Sequence, residues 1–441
     1  MVHSDKINTK AKFCYLGAFF LLLLLWAMIQ PKDSVPDEKM KYDICNYIFL
    51  HGKLPNGGDP AIRNPVWGIS YGFTPILAYM ISAIFMKIIA LFTHSVVSFY
   101  LAARLTSVLC MTGMAYFVIK IAERVFEQTK HRWLFIVGIT MLPQVIFLGS
   151  YINNDSLALF SIAMILYAWL RGIQDGWKMG NCILLGGAIG ICALSYYNAY
   201  GYLLTSVFVY FISARKQEMF AEHRGVIWKR AFLITAVALL IAGWWFVRSA
   251  ILYDGDFLGL RTSNSYAQQY AMDGYKPSNI ANPLHTGESL FHMLFVKSWI
   301  LSTVVSFIAT FGQADIRLPL MLYLPYGLLI LAGLWGLFDV RRSRSLTLLW
   351  KEKRTAILVE WVFVVNIMIS IGLSIYYSYC NDYQPQGRYV MPMLIPLFYF
   401  LSRGLCTVLD RCSSRRMQSV IYVVLAVFYL AVPVYSLKLI A

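Results

Sequence analysis

Uncharged apolar runs about as long as a bilayer is thick recur from one end of this chain to the other, and nothing constrains its fold more. The first runs from Phe13 to Ile29. About 20 mostly apolar residues carry a helix through the hydrocarbon core, where every backbone N–H and C=O must be bonded within the segment. No stretch between the runs is long enough for a water-soluble domain of ordinary size. Of the 441 residues, 59% are hydrophobic and 14% charged, against roughly 25% charged in an average soluble domain. The chain reads as one all-α polytopic membrane domain over 1–441, with its longest polar stretches at 31–73 and 253–318. Eleven full crossings fall near 12–30, 97–119, 133–150, 156–170, 181–197, 200–213, 231–252, 319–338, 355–378, 389–402 and 418–437. A basic start (Lys6, Lys10, Lys12) precedes the first run, as in a signal peptide. The run is longer than a usual apolar h-region and lacks a small-x-small site before Pro31, so it reads as a retained helix.

A net charge of +16 raises the question of nucleic acid, but basic residues in a membrane protein more often report orientation than partner. With the N-terminus inside, the inner segments carry 24 of the 38 Lys and Arg and the outer ones 11, as the positive-inside rule requires. That division holds only if two further apolar stretches, near 74–92 and 293–311, do not cross. They are expected to be re-entrant or surface-lying, with Pro75 and Pro319 marking helix starts. The first extracytoplasmic loop then spans 31–96 with juxtamembrane helices, and a second large one spans 253–318. The expected address is the cell membrane.

On this topology the polar motifs gather at the outer face. They are Asp37-Glu38, "YINNDS" (Tyr151–Ser156), "SYYNAYG" (Ser195–Gly201), "RSAILYDGDFLG" (Arg248–Gly259) and "NDYQPQGRY" (Asn381–Tyr389). Carboxylates, amides, tyrosines and arginines at one mouth of a helical bundle read as a site. Each has a plainer reading. Asp37-Glu38 after Pro36 suits a helix N-terminal turn, and Asp155 suits the cap of the next helix. Arg248 suits snorkelling, and Trp244-Trp245 an interfacial belt. Arg388 is the hardest to explain structurally, because Gly387 before it would let the backbone approach a ligand closely. Asn154-Asp155-Ser156 is formally a glycosylation sequon, set too near the membrane for easy modification.

The eight cysteines show no Cys-x-x-Cys spacing, and only Cys45 and Cys380 are expected outside, leaving a disulfide between them open. The seven histidines form no His-x-x-x-His pair, so nothing suggests zinc. Neither a Gly-x-x-x-x-Gly-Lys loop nor a Rossmann fingerprint is present, which argues against a soluble nucleotide and for a donor drawn from the membrane.

The motifs together resemble the GT-C superfamily of membrane glycosyltransferases, in particular one bacterial branch of multi-pass proteins. The resemblance is carried by the acid pair after the first helix in a DExxxY arrangement (Asp37 to Tyr42), "YGFTP" and "AARLTS". Later come "NNDSLALF", "WWFVRSAILYDGDFLG", "FGQADIRLP" and "QPQGRYVMPMLIPL". It runs from about Asp37 to Leu397. "SYYNAYG" stands where many relatives carry a lysine, leaving donor specificity open, and Thr74-Pro75 replaces the usual Pro-Pro.

The resemblance implies a GT-C-like bundle and an inverting transfer, hexosyl or pentosyl, from a polyprenyl-phosphate sugar to an extracytoplasmic glycan, lipid or protein. No nucleic acid is involved. An acceptor hydroxyl needs a carboxylate to take its proton, and Asp37 is the first choice, with Glu38 as stand-in. Arg388, helped by Arg248, suits the lipid phosphate. Asp155 orients the acceptor or, with Asp37, holds a divalent ion, and the sequence leaves both open. Tyr42, Asn154, Tyr197, Asn198, Gln386 and Tyr389 are expected to line the substrate. Two other classes stay open. A polysaccharide polymerase or ligase would keep its key groups in one large late loop. A lipid or solute transporter would place them near the midplane and show internal repeats.

Overall fold

The computed structural model describes residues 7–217, 224–412 and 414–441; Lys6 of the basic start lies outside them. The chain is helical almost throughout. Helix α1 (Thr9–Ile29) and α2 (Glu38–His51) precede a single 3-10 turn at Tyr71–Phe73 and α3 (Leu77–Ile89). Then come α4 (Val96–Val125), α5 (Thr129–Thr140), α6 (Pro143–Leu148), α7 (Asp155–Asp175), α8 (Met179–Ala193) and α9 (Gly201–Ala214). The second half holds α10 (Arg224–Leu252), α11 (Leu260–Tyr270), α12 (Trp299–Ile308), α13 (Leu320–Leu337), α14 (Val340–Ser345), α15 (Lys353–Cys380), α16 (Leu394–Leu409) and α17 (Arg415–Ile440). One antiparallel hairpin, β1 (Thr310–Phe311) with β2 (Ile316–Arg317), interrupts the helices.

Among the described residues, eight helical segments are long and apolar enough to cross a membrane: α1, α4, α7, α10, α13, α15, the run Gly387–Leu409, and α17. The other three expected crossings are shorter helices. The run 133–150 breaks at Met141-Leu142, because Pro143 has no N–H to give and forces the residue before it out of the helical region; Leu142 is extended. Helices α8 and α9, of 15 and 14 residues, reach about 22 and 21 Å at 1.5 Å per residue. The two stretches expected not to cross form helices of 13 and 10 residues. At about 20 and 15 Å they fall short of the roughly 30 Å hydrocarbon core.

Helices α4, α7, α8 and α10 pack one against the next, and α1 lies along α4. A second seam joins α13 to α16. There a Cβ on Gly404 would sit 1.8 Å from the Gly333 carbonyl oxygen, and one on Gly336 1.9 Å from that of Gly404, so the backbones touch and only glycine fits. The main apolar core runs through α1, α4 to α9 and α16. The α1–α2 turn, the α6–α7 turn, the α8–α9 turn and the 3-10 segment Gly387–Met393 carry most of the polar motifs. The hairpin is pinned to the first of these, since Gln313 Nε2 donates to the carbonyls of Asp33 at 3.1 Å and Val35 at 2.9 Å.

Candidate active site

Asp37 occupies the N-cap position of α2 but does not cap it. Its side chain makes no capping hydrogen bond, and its backbone is left-handed, with φ 61°. That conformation costs a non-glycine residue on the order of 1 kcal/mol, with Asp and Asn the most tolerant. The strain turns the carboxylate to three partners. Tyr71 donates to Oδ2 at 2.9 Å, Arg388 Nη2 lies 3.3 Å from the same oxygen, and Lys41 Nζ is 4.0 Å away. Burial alone would raise the Asp37 pKa. The charges of Lys41 and Arg388, with the hydrogen bonds from Tyr71 and Arg388, outweigh it and hold the group below the ordinary carboxylate value.

Lys41 is one helical turn after Asp37, on the same face, and is almost fully buried. Its ammonium lies over the rings of Tyr71 and Tyr151, 5.3 and 5.6 Å from their centroids, and donates to the Pro36 carbonyl at 3.3 Å. Burial lowers its pKa; Asp37, Asp155 and Glu38 pull it upward, and Arg388 pushes it further down.

Arg388 sits at the head of the last outer segment, its guanidinium 4.9 Å from the Tyr389 ring centroid and donating to that phenol at 2.9 Å. Its Nε is buried without a hydrogen-bond partner. Asp155 opens α7 and is buried, but the helix start is served by Asn153, whose Oδ1 accepts from the Ser156 N–H at 2.8 Å. Burial raises the phenol pKa of Tyr151 and of Tyr196, with Arg388 partly offsetting it in both. Asp37, Asp155, Lys41, Arg388 and the phenols of Tyr71, Tyr151, Tyr196 and Tyr389 thus form one electrostatic cluster drawn from five chain segments.

Several residues expected in the site stand elsewhere. Glu38 has no exposure and turns away from its neighbour. Arg104 takes both its oxygens at 2.8 and 2.7 Å, and the Ile152 N–H donates to Oε1 at 3.1 Å. That carboxylate is held by bonds from inside the fold and is closed to solvent. Arg248 donates to the Pro55 carbonyl at 2.7 Å and lies 5.2 Å from the Trp245 ring. No hydrogen bond or ion pair among the described residues joins it to Asp37 or Arg388. Tyr42 stacks on Tyr100 with centroids 3.8 Å apart, Asn154 is buried and donates to the Ser195 carbonyl, and the Tyr197 hydroxyl donates to the Leu258 carbonyl at 2.6 Å. Asn198 and Gln386 are partly exposed, with no side-chain hydrogen bond among the described residues. Gly387 serves packing, not a ligand: a Cβ there would lie 2.1 Å from the Phe307 backbone nitrogen. Cys45 and Cys380 are both free, so the disulfide left open by the sequence is absent. Trp245 is buried and Trp244 partly exposed, so only the second of the pair suits an interfacial belt.

Lys41, Tyr71, Tyr151 and Tyr196 were not singled out by the sequence. The i,i+4 spacing from Asp37 to Lys41 could have flagged the lysine. Nothing in the sequence separates Tyr196 from Tyr197. As for a metal, the cluster offers two carboxylates, and among the described residues no group of three or more His, Cys, Asp or Glu is placed to hold an ion.

Residues 64–397 match the family described as Predicted membrane protein (DUF2142). The chain belongs to that family. It matches no curated protein. In fold it is similar to ArnT from Cupriavidus metallidurans bound to undecaprenyl phosphate, at 15% identity and a TM-score of 0.54, covering 95% of this chain and 64% of that one. It is similar also to the Archaeoglobus fulgidus oligosaccharyltransferase in the apo form, at 14% identity and 0.57, covering 98% and 56%. The same holds for AglB from that organism in complex with an inhibitory peptide and a dolichol-phosphate, at 14% and 0.53, again covering 98% and 56%. The chain therefore spans 56–64% of the length of these structures. They are GT-C membrane glycosyltransferases, and this multi-pass membrane protein shares their fold.

Proposed function

We propose that the protein is an inverting glycosyltransferase of the cell membrane, moving a sugar from a polyprenyl-phosphate donor to an acceptor on the extracytoplasmic side. The loops 31–96 and 253–318 face that side in this reading, as the division of basic residues suggests. The observation that carries the proposal is a partly open Asp37 carboxylate, 27% exposed, held against two cations, the buried Lys41 and the 12% exposed Arg388. A base and a phosphate site thereby stand in contact. Lipid phosphates bound to proteins of the same fold, undecaprenyl phosphate in ArnT and dolichol-phosphate in AglB, make a lipid phosphate the natural anion.

In the transfer, the acceptor oxygen bonds to the anomeric carbon and its proton passes to the Asp37 carboxylate. The carbon–oxygen bond to phosphate breaks, and its electron pair stays on the phosphate oxygen. Arg388, with its planar fork and unpartnered Nε, and Lys41 offset that charge. The same step frees the base. As the donor phosphate draws the two cations, Asp37 loses the interactions that keep its pKa low and becomes a better proton acceptor. Asp155, whose charge reaches Lys41 from the start of α7, orients the acceptor hydroxyl.

The test is transfer or hydrolysis of labelled polyprenyl-phosphate sugars by purified protein. Asp37→Asn keeps the left-handed backbone and the shape but accepts no proton, and a loss of roughly 10²–10⁴-fold is expected. Arg388→Ala removes a unit charge worth on the order of 4 kcal/mol at 4 Å and an effective dielectric near 20, and Arg388→Lys restores only part of it. Near-parental turnover in folded Asp37→Asn would remove Asp37 as the base.

A further inference from the structure

We infer that Glu38 and Arg104 are a positioning pair that fixes Asp37 and Asp155 relative to each other. The inference deepens the glycosyl-transfer reading and rests on it for its kinetic consequence only. All five guanidinium N–H bonds of Arg104 are engaged. Nε donates to Glu38 Oε1 at 2.8 Å, and Nη1 to the carbonyls of Ala27 at 2.8 Å and Gln30 at 2.6 Å. Nη2 donates to the Pro31 carbonyl at 3.0 Å and to Glu38 Oε2 at 2.7 Å. Glu38 then accepts from the Ile152 N–H at 3.1 Å. Arg104 is 3% exposed and Glu38 has no exposure, so neither touches substrate.

Each bond ends on a segment that leads into the site. Ala27, Gln30 and Pro31 are the last turn of α1 and the start of the strained turn to Asp37. Glu38 is the residue after Asp37. Ile152 lies between Tyr151 and Asn153 in the turn that delivers Asp155. One guanidinium and one carboxylate thus tie α1, α2, α4 and the α6–α7 turn at a single point, and both acids hang from it. Two charges inside the protein are an expensive way to hold helices together, since a neutral pair of similar volume is often as stable or more so. Their retention here is explained by geometry, because the bidentate fork fixes direction as well as distance.

Three variants test the pair. Glu38→Asp keeps the charge but is one methylene too short to reach both Arg104 and Ile152. Glu38→Gln with Arg104→Gln removes both charges together, so no uncompensated ion is left in the fold. Arg104→Lys keeps the charge without the fork and is expected to fall between the parent and the double variant. Each is purified and compared with the parent by thermal melting, by hydrogen exchange of the 151–156 backbone, and by kinetics on a labelled polyprenyl-phosphate sugar. The expected result for Glu38→Asp and the double variant is a melting temperature near that of the parent, faster exchange at Ile152, and kcat lowered about 10–100-fold, the scale of a misplacement near 1 Å. The donor KM should stay within about 3-fold. A merely structural pair would instead lower the melting temperature while the folded fraction kept the parental kcat. Parental exchange at Ile152, or parental kcat in a folded variant, overturns the inference. If the parent itself transfers no sugar, the glycosyl-transfer reading fails alone, and the exchange arm still decides whether the pair holds the two acids.

Discussion

Asp37 sits between two opposing demands: burial favours its neutral form, while Lys41, Arg388 and Tyr71 favour its charged form and prevail. A carboxylate whose pKa is lower folded than unfolded stabilises the protein above the unfolded value, and that contribution is lost as pH falls through the folded value. Transfer that needs the carboxylate should decline over the same acid range. Lys41→Met removes one of the two cations but keeps much of the side-chain length. In that variant the acid side of the pH–rate profile should shift to higher pH, because Asp37 then protonates more readily. An acid limb left in place would show that Lys41 does not act on the base. Glu38, with the same chemistry one residue later, points the other way and is held by Arg104 and the Ile152 N–H.

Helices meet closely at the α13–α16 seam, where Gly333, Gly336 and Gly404 let two backbones touch. Gly404→Leu should force them apart and cost about 1–3 kcal/mol or more, as overpacking does, lowering the melting temperature; an unchanged melting temperature would mean the seam is open in the folded protein. The long crossings were legible because apolar length is a property of sequence alone. The break at Pro143 was missed because the apolar run continues through it, and hydropathy does not see a missing N–H. Within the site, the motifs read from sequence lie near one another, but not every expected member of each motif lies in the cluster around Asp37. Tyr197 and Tyr196 are chemically alike, but the Tyr197 hydroxyl, in the 3-10 turn, donates to Leu258, while it is Tyr196 that feels the charge of Arg388. Asp37 and Glu38 are alike too, and only the left-handed turn at Asp37 parts their directions. Arg104, in the quoted "AARLTS", was given no role by the sequence, because its partners lie 66 to 77 residues away.

The charge division over the whole molecule predicts which loops an impermeant thiol reagent reaches on intact cells. Cysteines introduced at the exposed positions Lys53 and Gly274 should label above the parent's own background, and those at exposed Gln128 and Ser345 should not. A labelled Gln128 variant would reverse the placement of the site. The separation between Asp37 and Arg388 has a further consequence, for how the protein is made. Their contact closes a span of 351 residues, which at roughly 5–20 residues per second takes a ribosome tens of seconds to synthesise. Until Arg388 is made, Asp37 has Lys41 and the Tyr71 hydroxyl but lacks its second cation, an imbalance in a region destined to be largely buried. A chain stopped before Arg388 keeps that imbalance permanently, so the cell's membrane quality control should meet truncated products as unassembled helices, however completely their apolar segments have inserted.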